Sequence, residues 1–349
     1  MNELDRERRG YFNGFSKITN TVCISDFNSN KIEDINKLIY NDINPRLILQ
    51  PEASPRLPHG LLKTKVPTAC FQIDTYSGTD KRIKWSMLFD YTFVFHPGFE
   101  QFFQNAGHPR AICLPHAVEV DLFMKPETER IYDVGWVGRL EGKHYSVRRR
   151  CIERLKDYFK MNDINRHYTP EEMAIIYNKS KVVVNISRDN YLEDANLRCF
   201  EVMASGALLI TSKYTELSRI GFIEGIHYIG YEKEEEIPEL VKFYLKVELQ
   251  RNKISRAARS LVMQHHTYDS RVKRIIDILD QDKGKLFAPA RYWDNAKVHA
   301  TYLHYFAKHL MLDAAFQELR EIRGISRSLA WSMIPTVGKA LIQALKLSL

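Results

Sequence analysis

The sequence predicts an α/β protein with two domains and a helical C-terminal segment. Short apolar runs alternate with amphipathic segments from residue 21 to about 126, a pattern typical of strands and helices in a parallel sheet. A second unit of this kind occupies residues 181–212, whereas residues 287–349 show helical patterns. At 349 residues and 44% hydrophobic, the chain is long enough to build two cores.

The first half of the chain reads as alternating strands and helices. The expected strands are 21–25, 46–50, 67–73, 91–95 and 111–114, and the expected helices are 31–41, 81–89 and 98–106. We expect three parts: a first α/β domain at 1–128, a second at 129–285 and a helical extension at 286–349, which could cross back to the first domain.

Residues 181–212 combine a strand, a loop, a helix and a second strand. Asp194 and Asn196 are both suitable N-caps, which places the helix start near Leu197. The unpaired amides of such a start form a site for an anion such as a diphosphate. Glu193 lies in the loop and Glu201 one turn into the helix, and Gly206 is expected to end that helix.

The spacing Glu193-x7-Glu201, followed by Val-Met-Ala-Ser-Gly206, resembles the E-x7-E element of retaining GT-B glycosyltransferases of the "group 1" class. Within that class it is most similar to the spore-maturation CgeB-like branch. The resemblance implies two Rossmann-like domains facing a cleft. It also implies that Glu201 accepts hydrogen bonds from the nucleotide ribose and that Glu193 lies near the donor sugar. A carboxylate suits this role because it is acceptor-only. The alternative is a solvated helix face with two glutamates at that spacing by chance.

The segment YDVGWVGRLEGK at 132–143 reads as a strand that runs into Gly138 and a polar loop. It resembles the G-R-L-x-x-K segment of the family, in which the Arg and Lys hold the donor diphosphate. Arg139 and Lys143 would then take the place of a divalent ion, so no metal and no cofactor is expected. The proposed donor-binding residues are Gly138, Arg139, Lys143, Asn196, Leu197, Arg198 and Glu201. The run 148–150 reads as a solvated helix face.

Asp74 follows a strand directly, where α/β proteins place ligand-facing residues. CgeB-like relatives carry an aspartate after a similar strand, which implies that Asp74 orients an acceptor hydroxyl or acts as its base. The alternative is a carboxylate that caps the next helix. The stretch LPHAVEVDLF resembles the interdomain segment of the family, with Phe123 as a packing residue.

Composition excludes several classes of protein. The five cysteines lie mostly in apolar runs and form no C-x-x-C pair, which indicates buried, reduced thiols of a cytoplasmic protein and suggests no metal site. The N-terminal residues lack the apolar region of a signal peptide. A net charge of +8 suits nucleic acid, a membrane surface, an anionic substrate or an ordinary basic surface. The basic residues are not interleaved with aromatic ones, so nucleic-acid binding has no support.

The C-terminal residues 287–349 carry eight basic and four acidic residues, a net charge of +4. Apolar residues recur there every four positions, at Ile325, Leu329, Met333, Val337, Leu341 and Leu345. Such a stripe could lie in a membrane interface beside anionic lipid, or pack on the protein or on a second subunit. Pro335 is expected to interrupt the helix.

The predicted function is transfer of a sugar from a nucleotide-sugar donor to a glycan, lipid-linked or protein acceptor, as in polysaccharide or glycoconjugate biosynthesis. The expected location is the cytoplasm, with the inner face of the membrane as an option. Retention is implied by the family alone. Two alternatives stay open: another nucleotide-sugar enzyme such as an epimerase, and a catalytically silent binding or scaffold protein.

Overall fold

The computed structural model describes residues 6–23, 34–38, 45–52, 57–124 and 128–348. The chain forms two compact units, one of Met1–Val22 with Pro115–Asp277 and one of Cys23–Leu114 with Ile278–Leu349. The N-terminal residues thus group with the second sheet and the C-terminal residues with the first, a division that differs from the three consecutive ranges expected from the sequence.

The elements of the described residues follow one another along the chain in this order: α1 Arg6–Ser16, α2 Ile35–Leu38, β1 Ile48–Gln50, β2 Thr68–Gln72, α3 Thr79–Ser86, β3 Tyr91–Val94, α4 Glu100–Asn105, β4 Ala111–Cys113, α5 Val120–Phe123, β5 Tyr132–Gly135, α6 Ser146–Tyr158, α7 Pro170–Asn178, β6 Ser180–Val184, α8 Leu197–Ser205, β7 Leu208–Ser212, β8 Ile229–Tyr231, α9 Ile237–Lys246, α10 Glu248–His265, α11 Tyr268–Asp282, α12 Asn295–Lys308, α13 Leu312–Ile325 and α14 Arg327–Ser348.

The first sheet is parallel, in the order β1-β2-β3-β4. Its two central strands, TACFQ and YTFV, are buried along their whole length, as expected of a parallel sheet covered on both faces. The predicted strands 46–50, 67–73, 91–95 and 111–114 and the helices 81–89 and 98–106 are confirmed, with slightly different bounds. Of the predicted strand 21–25, residues 21–23 are not a strand and the rest lies outside the described residues. Of the predicted helix 31–41, residues 34–38 lie within them: α2 is helical as predicted, whereas Asp34 forms an isolated bridge with His59.

The C-terminal helices pack in the unit of the first sheet. The buried Asp90 carboxylate accepts hydrogen bonds from the backbone amides of Phe287 and Ala288, at 2.7 and 2.9 Å. The hydroxyl of Tyr302 on α12 donates to the carbonyl of Pro58 at 2.9 Å. The helical extension is therefore part of this unit's core.

The predicted apolar stripe lies on α14 partly in the core and partly at the surface. Val337 is buried, and Leu329 and Met333 pack against the core of the unit, whereas Leu341 is exposed. The prediction that Pro335 interrupts the helix is wrong, because Pro335 lies inside α14. A proline removes the hydrogen bond to the carbonyl four residues earlier, which here belongs to the exposed Trp331, so water can satisfy it. None of the described helices is both long and apolar enough to cross a membrane.

The second sheet is also parallel, in the order β5-β6-β7-β8. The predicted unit at 181–212 is confirmed as β6, α8 and β7, with Val182 beside Leu208 in register. Gly206 ends α8 with φ of +75°, a left-handed conformation that glycine adopts without strain. Phe123 is buried and its ring stacks on that of Tyr177 at 6.1 Å, as its predicted packing role requires.

The cysteines are all free thiols. Cys70, Cys151 and Cys199 are buried, and burial raises the pKa of Cys70 and Cys151 to about 12. Cys113 is half-buried and Cys23 is exposed, so burial does not extend to all five.

Candidate functional site

The start of α8 lies directly after the loop that leaves the carboxyl end of β6. Asn196 is the N-cap residue and Leu197 the first helical residue, as predicted. The Asn196 side chain makes no capping bond. Its Nδ2 donates instead to Asn185 Oδ1 at 3.2 Å, and its Oδ1 is buried with no hydrogen-bond partner among the described residues. The helix start therefore keeps its positive end unneutralised by its own cap.

Arg198, in the first turn of α8, is fixed by two neighbours. Its Nη1 donates to Asn185 Oδ1 at 2.8 Å, and its guanidinium lies 4.7 Å from the centre of the Trp136 ring. The Nε atom is buried and forms no hydrogen bond of good geometry with a described residue, although the guanidinium also interacts with the Tyr177 hydroxyl. An unsatisfied buried donor of this kind is costly unless a ligand accepts from it.

Gly138 approaches the same guanidinium from the loop after β5. A Cβ atom at Gly138 would lie 2.4 Å from Nη2 of Arg198, so glycine leaves the room that this group occupies. The G-R-L segment and the α8 start, 60 residues apart in sequence, are thereby brought together. Their proximity was predicted from the family resemblance.

Arg139 and Lys143 follow Gly138 in the same loop, and both are exposed. Neither side chain forms an ion pair with any residue that the structure describes. Their positive charges are therefore available to an anionic ligand. The backbone around Arg139 is held by Arg148, whose Nη1 donates to the Arg139 carbonyl at 3.2 Å.

Arg148 corrects the expectation that 148–150 is a solvated helix face. It is 6% exposed, its Nε donates to the carbonyl of Ile186 at 2.8 Å, and its guanidinium lies 4.5 Å from the Tyr145 ring centre. Burial lowers its pKa to about 10, so it stays charged at neutral pH. Arg148 supports the loop of Arg139, a role that a run of three arginines does not reveal. Arg150 is exposed as expected.

Glu201 lies one turn into α8 and is 1% exposed. Its Oε1 accepts from Nη1 of Arg6 at 2.5 Å, and its Oε2 is buried with no partner among the described residues. Burial raises the pKa of the Glu201 carboxyl above its ordinary 4.5, while Arg6 and, more weakly, Arg198 oppose that shift. The solvated-face alternative for Glu201 is therefore wrong, and its partner Arg6 was not foreseen.

Glu193 differs from Glu201 in its exposure to solvent, although each accepts from an arginine. Its side chain is 43% exposed, and Oε2 accepts from Arg219 at 2.8 Å. Its carbonyl accepts from the amide of Glu216 at 2.8 Å, which fixes the loop. The two glutamates of the spacing thus occupy a buried and a solvated position.

Asp74 belongs to the unit of the first sheet and lies two residues beyond β2, half-buried. It does not cap the following helix, because the N-cap of α3 is Gly78 without a side-chain cap. Its Oδ1 accepts from the Tyr76 hydroxyl at 3.4 Å. Glu52 and Arg82 form an ion pair in the same unit, and burial raises the pKa of Glu52. No pattern in the sequence had indicated this pair.

Two buried residues that position Arg198 and the loop after β5 were not predicted from the sequence. Asn185 is a fully buried amide within the otherwise apolar run Val-Val-Val-Asn-Ile, and this polar interruption was the available signal. Trp136 is fully buried, with Asn162 bonded to both its backbone N–H and its carbonyl, at 2.8 and 2.7 Å. An aromatic residue before G-R-L gives no comparable signal.

Residues 133–277 match the family model described as glycosyl transferase-like. The chain therefore carries a glycosyl transferase-like domain. This domain contains β5–β8, the G-R-L loop and α8, so every contact of the donor-side residues described above lies within it or reaches it from α1. No curated protein matches the chain in sequence.

Solved structures are similar in fold. Anabaena HepE in complex with UDP and glucose superposes with a TM-score of 0.51 at 12% identity, over 71% of this chain and 81% of that one. A glycosyltransferase from Rickettsia africae gives 0.49 at 12% identity over 80% and 83%. Sucrose-phosphate synthase from Thermosynechococcus elongatus gives 0.48 at 13% identity over 71% and 76%. The likeness to HepE supports the GT-B fold.

Proposed function

We propose that the protein is a retaining glycosyltransferase of the CgeB-like branch that uses a nucleotide-sugar donor. The observation that carries the proposal is the Arg198 guanidinium. It stands at the start of α8 with one buried N–H that forms no hydrogen bond of good geometry with a described residue, beside the loop of the exposed Arg139 and Lys143. A diphosphate is an anion with many acceptor oxygens, and it complements such a set of donors. Anabaena HepE, of the same fold, has been crystallised with UDP and with glucose.

The donor diphosphate would lie between Gly138, the α8 start and the three cations. Asn196 and Leu197 supply the helix end, while Arg139, Lys143 and Arg198 supply full charges. When the bond between the anomeric carbon and the phosphate oxygen breaks, its electron pair stays on the diphosphate. Fixed cations stabilise that charge more in the transition state than in the ground state. We therefore propose a reaction that needs no metal and no cofactor.

The remaining roles divide among three carboxylates. Glu201 would accept from the ribose hydroxyls, and Glu193, solvated and held by Arg219, would contact the donor sugar. Asp74 would orient the acceptor hydroxyl or take its proton as the new bond to the anomeric carbon forms. The acceptor is a glycan, lipid-linked or protein hydroxyl, and the site of action is the cytoplasmic side of the membrane.

We also propose that the C-terminal helix α14 contacts an anionic membrane surface. Trp331, Ile334 and Ile342 recur at helical spacing and are 74%, 44% and 57% exposed, while the opposite side of α14 packs on its own unit. Lys339 and Lys346 flank them, and α14 contains no acidic residue. A fixed helix with an exposed apolar strip beside cations fits the interface of an anionic bilayer.

Vesicle sedimentation tests the membrane contact. Because Val337 and Ala340 belong to the core, deletion of α14 would disturb folding, and point substitutions are better. We expect the protein to sediment with anionic vesicles, less with neutral ones or at high salt. Trp331→Ser with Ile342→Ser should abolish sedimentation, whereas Leu249→Ser, an exposed apolar residue on α10, should not. Association between protein copies without vesicles would instead indicate a subunit interface.

Titration calorimetry with nucleoside diphosphates tests the donor site, and NMR of the products tests the reaction. A nucleoside diphosphate at a free concentration of 100 times its Kd should raise the free energy of unfolding by about 2.7 kcal/mol. An acceptor glycoside with retained anomeric configuration is the expected product. Release of free sugar alone, or an epimerised nucleotide sugar, would contradict transfer, and absence of binding by every nucleoside diphosphate would contradict the donor site.

A further inference from the structure

The carboxylate that should receive the ribose is occupied by the protein itself. Arg6 of α1 bonds one oxygen of Glu201 at 2.5 Å, and the second oxygen is buried. With Glu201 only 1% exposed, no ribose hydroxyl can reach it in this conformation. The inference that follows rests on the ribose role proposed above for Glu201.

Helix α1 is held by buried and by exposed contacts. Tyr11 is buried with its ring centre 5.1 Å from that of Tyr268, and Glu7 pairs with the buried His116. Arg9 pairs with Glu119 and with Glu171, each at 3.0 Å, and Lys17 pairs with Asp269 at 2.9 Å. Exposed or half-exposed ion pairs of this kind contribute little each. Detachment of α1 would therefore cost mainly the burial of Tyr11 and the Glu7–His116 pair, which a bound ligand must offset.

One close contact fixes how α1 sits. Gly10 faces the ring of Tyr268 so closely that a Cβ atom there would lie 2.1 Å from a ring carbon. Gly14, one turn later, is also buried, and a Cβ atom there would lie 3.1 Å from a methyl carbon of Val272. A side chain at position 10 must therefore displace either the Tyr268 ring or α1 itself.

We propose that α1 is an autoinhibitory cover on the donor site. In the closed state, the Arg6 guanidinium takes the hydrogen bond of Glu201 that the ribose needs. In the open state, α1 has lifted, Glu201 is accessible, and a nucleoside diphosphate binds. Ligand and Arg6 therefore compete for one carboxylate, and binding of the ligand selects the open state.

Substitution of Gly10 tests the cover without changing any donor-site side chain. If only a small fraction of molecules is open, the apparent Kd is raised by the inverse of that fraction. Gly10→Val should open the site and lower the Kd for a nucleoside diphosphate by about tenfold or more. Ser16→Ala, on the exposed side of α1, should leave the Kd unchanged. An unchanged or weaker affinity in Gly10→Val would overturn the proposal.

Hydrogen exchange of the unmodified protein gives a second readout. A saturating nucleoside diphosphate should speed exchange of the amides in α1, because the bound state holds the helix open. Slower exchange there would show that α1 closes over the ligand, which would overturn the proposal.

A third variant separates the two levels of inference. If Arg6→Ala/Glu201→Gln binds the diphosphate more weakly than Arg6→Ala, Glu201 contacts the ribose. If that result is obtained and Gly10→Val has unaltered affinity, the autoinhibitory role of α1 is contradicted while the ribose role of Glu201 stands. Equal affinities in the two Arg6 variants would remove the ribose role of Glu201 and the cover together.

Discussion

The side-chain oxygen of Asn185 accepts a hydrogen bond from Arg198 Nη1 at 2.8 Å. Asn185 stands directly after β6 and is fully buried, and its Nδ2 donates to Thr211 Oγ1 of β7 at 3.1 Å. The amide therefore links two neighbouring strands to the first turn of α8. The cation that we place on the donor diphosphate is thus oriented before any ligand arrives, which reduces the entropy lost on binding.

Replacement of Arg198 by lysine tests this orientation. A lysine keeps the charge but loses the planar group that lies against Trp136 and bonds Asn185. We expect the Kd for a nucleoside diphosphate to rise by about tenfold, equal to about 1.4 kcal/mol. Arg150→Lys, an exposed arginine on α6, is the matched control. Calorimetry that gives wild-type affinity for Arg198→Lys would contradict the proposed contact.

Arg139 and Lys143 should matter to ligand binding and not to folding. Both side chains are exposed, so truncation to alanine removes no buried contact. We expect each substitution to weaken diphosphate binding by roughly 1.5–3 kcal/mol, the usual range for hydrogen bonds to charged groups. Lys156→Ala, on the exposed side of α6, controls for loss of one positive charge. Unchanged affinity in both variants would place the diphosphate elsewhere.

The C-terminal helices contain a pH-dependent cluster. The buried Glu318 carboxylate accepts from His59 Nε2 at 2.6 Å and from His299 Nδ1 at 2.7 Å. The hydrogen bond to Glu318 raises the pKa of His299 above its ordinary 6.5. Burial opposes ionisation of Glu318, but the hydrogen bonds from His299 and His59 overcome it and lower its pKa below 4.5.

The two shifts define the window in which this cluster stabilises the fold. The contribution of His299 is complete below pH 6.5 and is lost as the pH rises through its raised pKa. The contribution of Glu318 is present above pH 4.5 and is lost as the pH falls through its lowered pKa. His299→Gln should therefore lower Tm more at about pH 5.5 than at about pH 9. His265→Gln, an exposed imidazole on α10, serves as control, and an equal loss of Tm at both pH values would contradict the assignment.

The sequence predicted the strands and helices well because their signals are local. The apolar β-branched run of β6 and the C-terminal Gly206 each act within a few residues, and Asn196 marks the helix start although its side chain makes no capping bond. The same holds for Arg139 and Lys143, whose exposure follows from a polar loop. The pairing of the loop at Gly138 with Arg198 was available only through the family resemblance.

What the sequence did not predict depends on contacts between distant residues. Arg6 and Glu201 are separated by 195 positions, and nothing local to either indicates the other. Likewise, the sequence shows Arg148 as one of three arginines on a helix surface, and only the fold reveals that its side chain donates to the carbonyls of Ile186 and Arg139. The effect of Pro335 is not predictable from the sequence, because it depends on whether water reaches the carbonyl that the proline leaves unpaired.

The division of roles between Glu201 and Glu193 is the central claim for the donor site. Both substitutions to glutamine keep the shape of the side chain and remove its charge, and both are made together with Arg6→Ala so that α1 affects them equally. Two quantities are measured for each variant: the Kd for a nucleoside diphosphate and the turnover with the nucleotide sugar.

That paired measurement tests the account most directly. Glu201→Gln should raise the Kd for the nucleoside diphosphate, which carries no sugar beyond its ribose, by about tenfold. The reason is that a charged acceptor of the ribose hydroxyls is lost. Glu193→Gln should leave that Kd nearly unchanged and lower turnover, as expected of an interaction made chiefly in the transition state. Equal loss of diphosphate affinity in both variants, or full turnover in Glu193→Gln, would contradict the account.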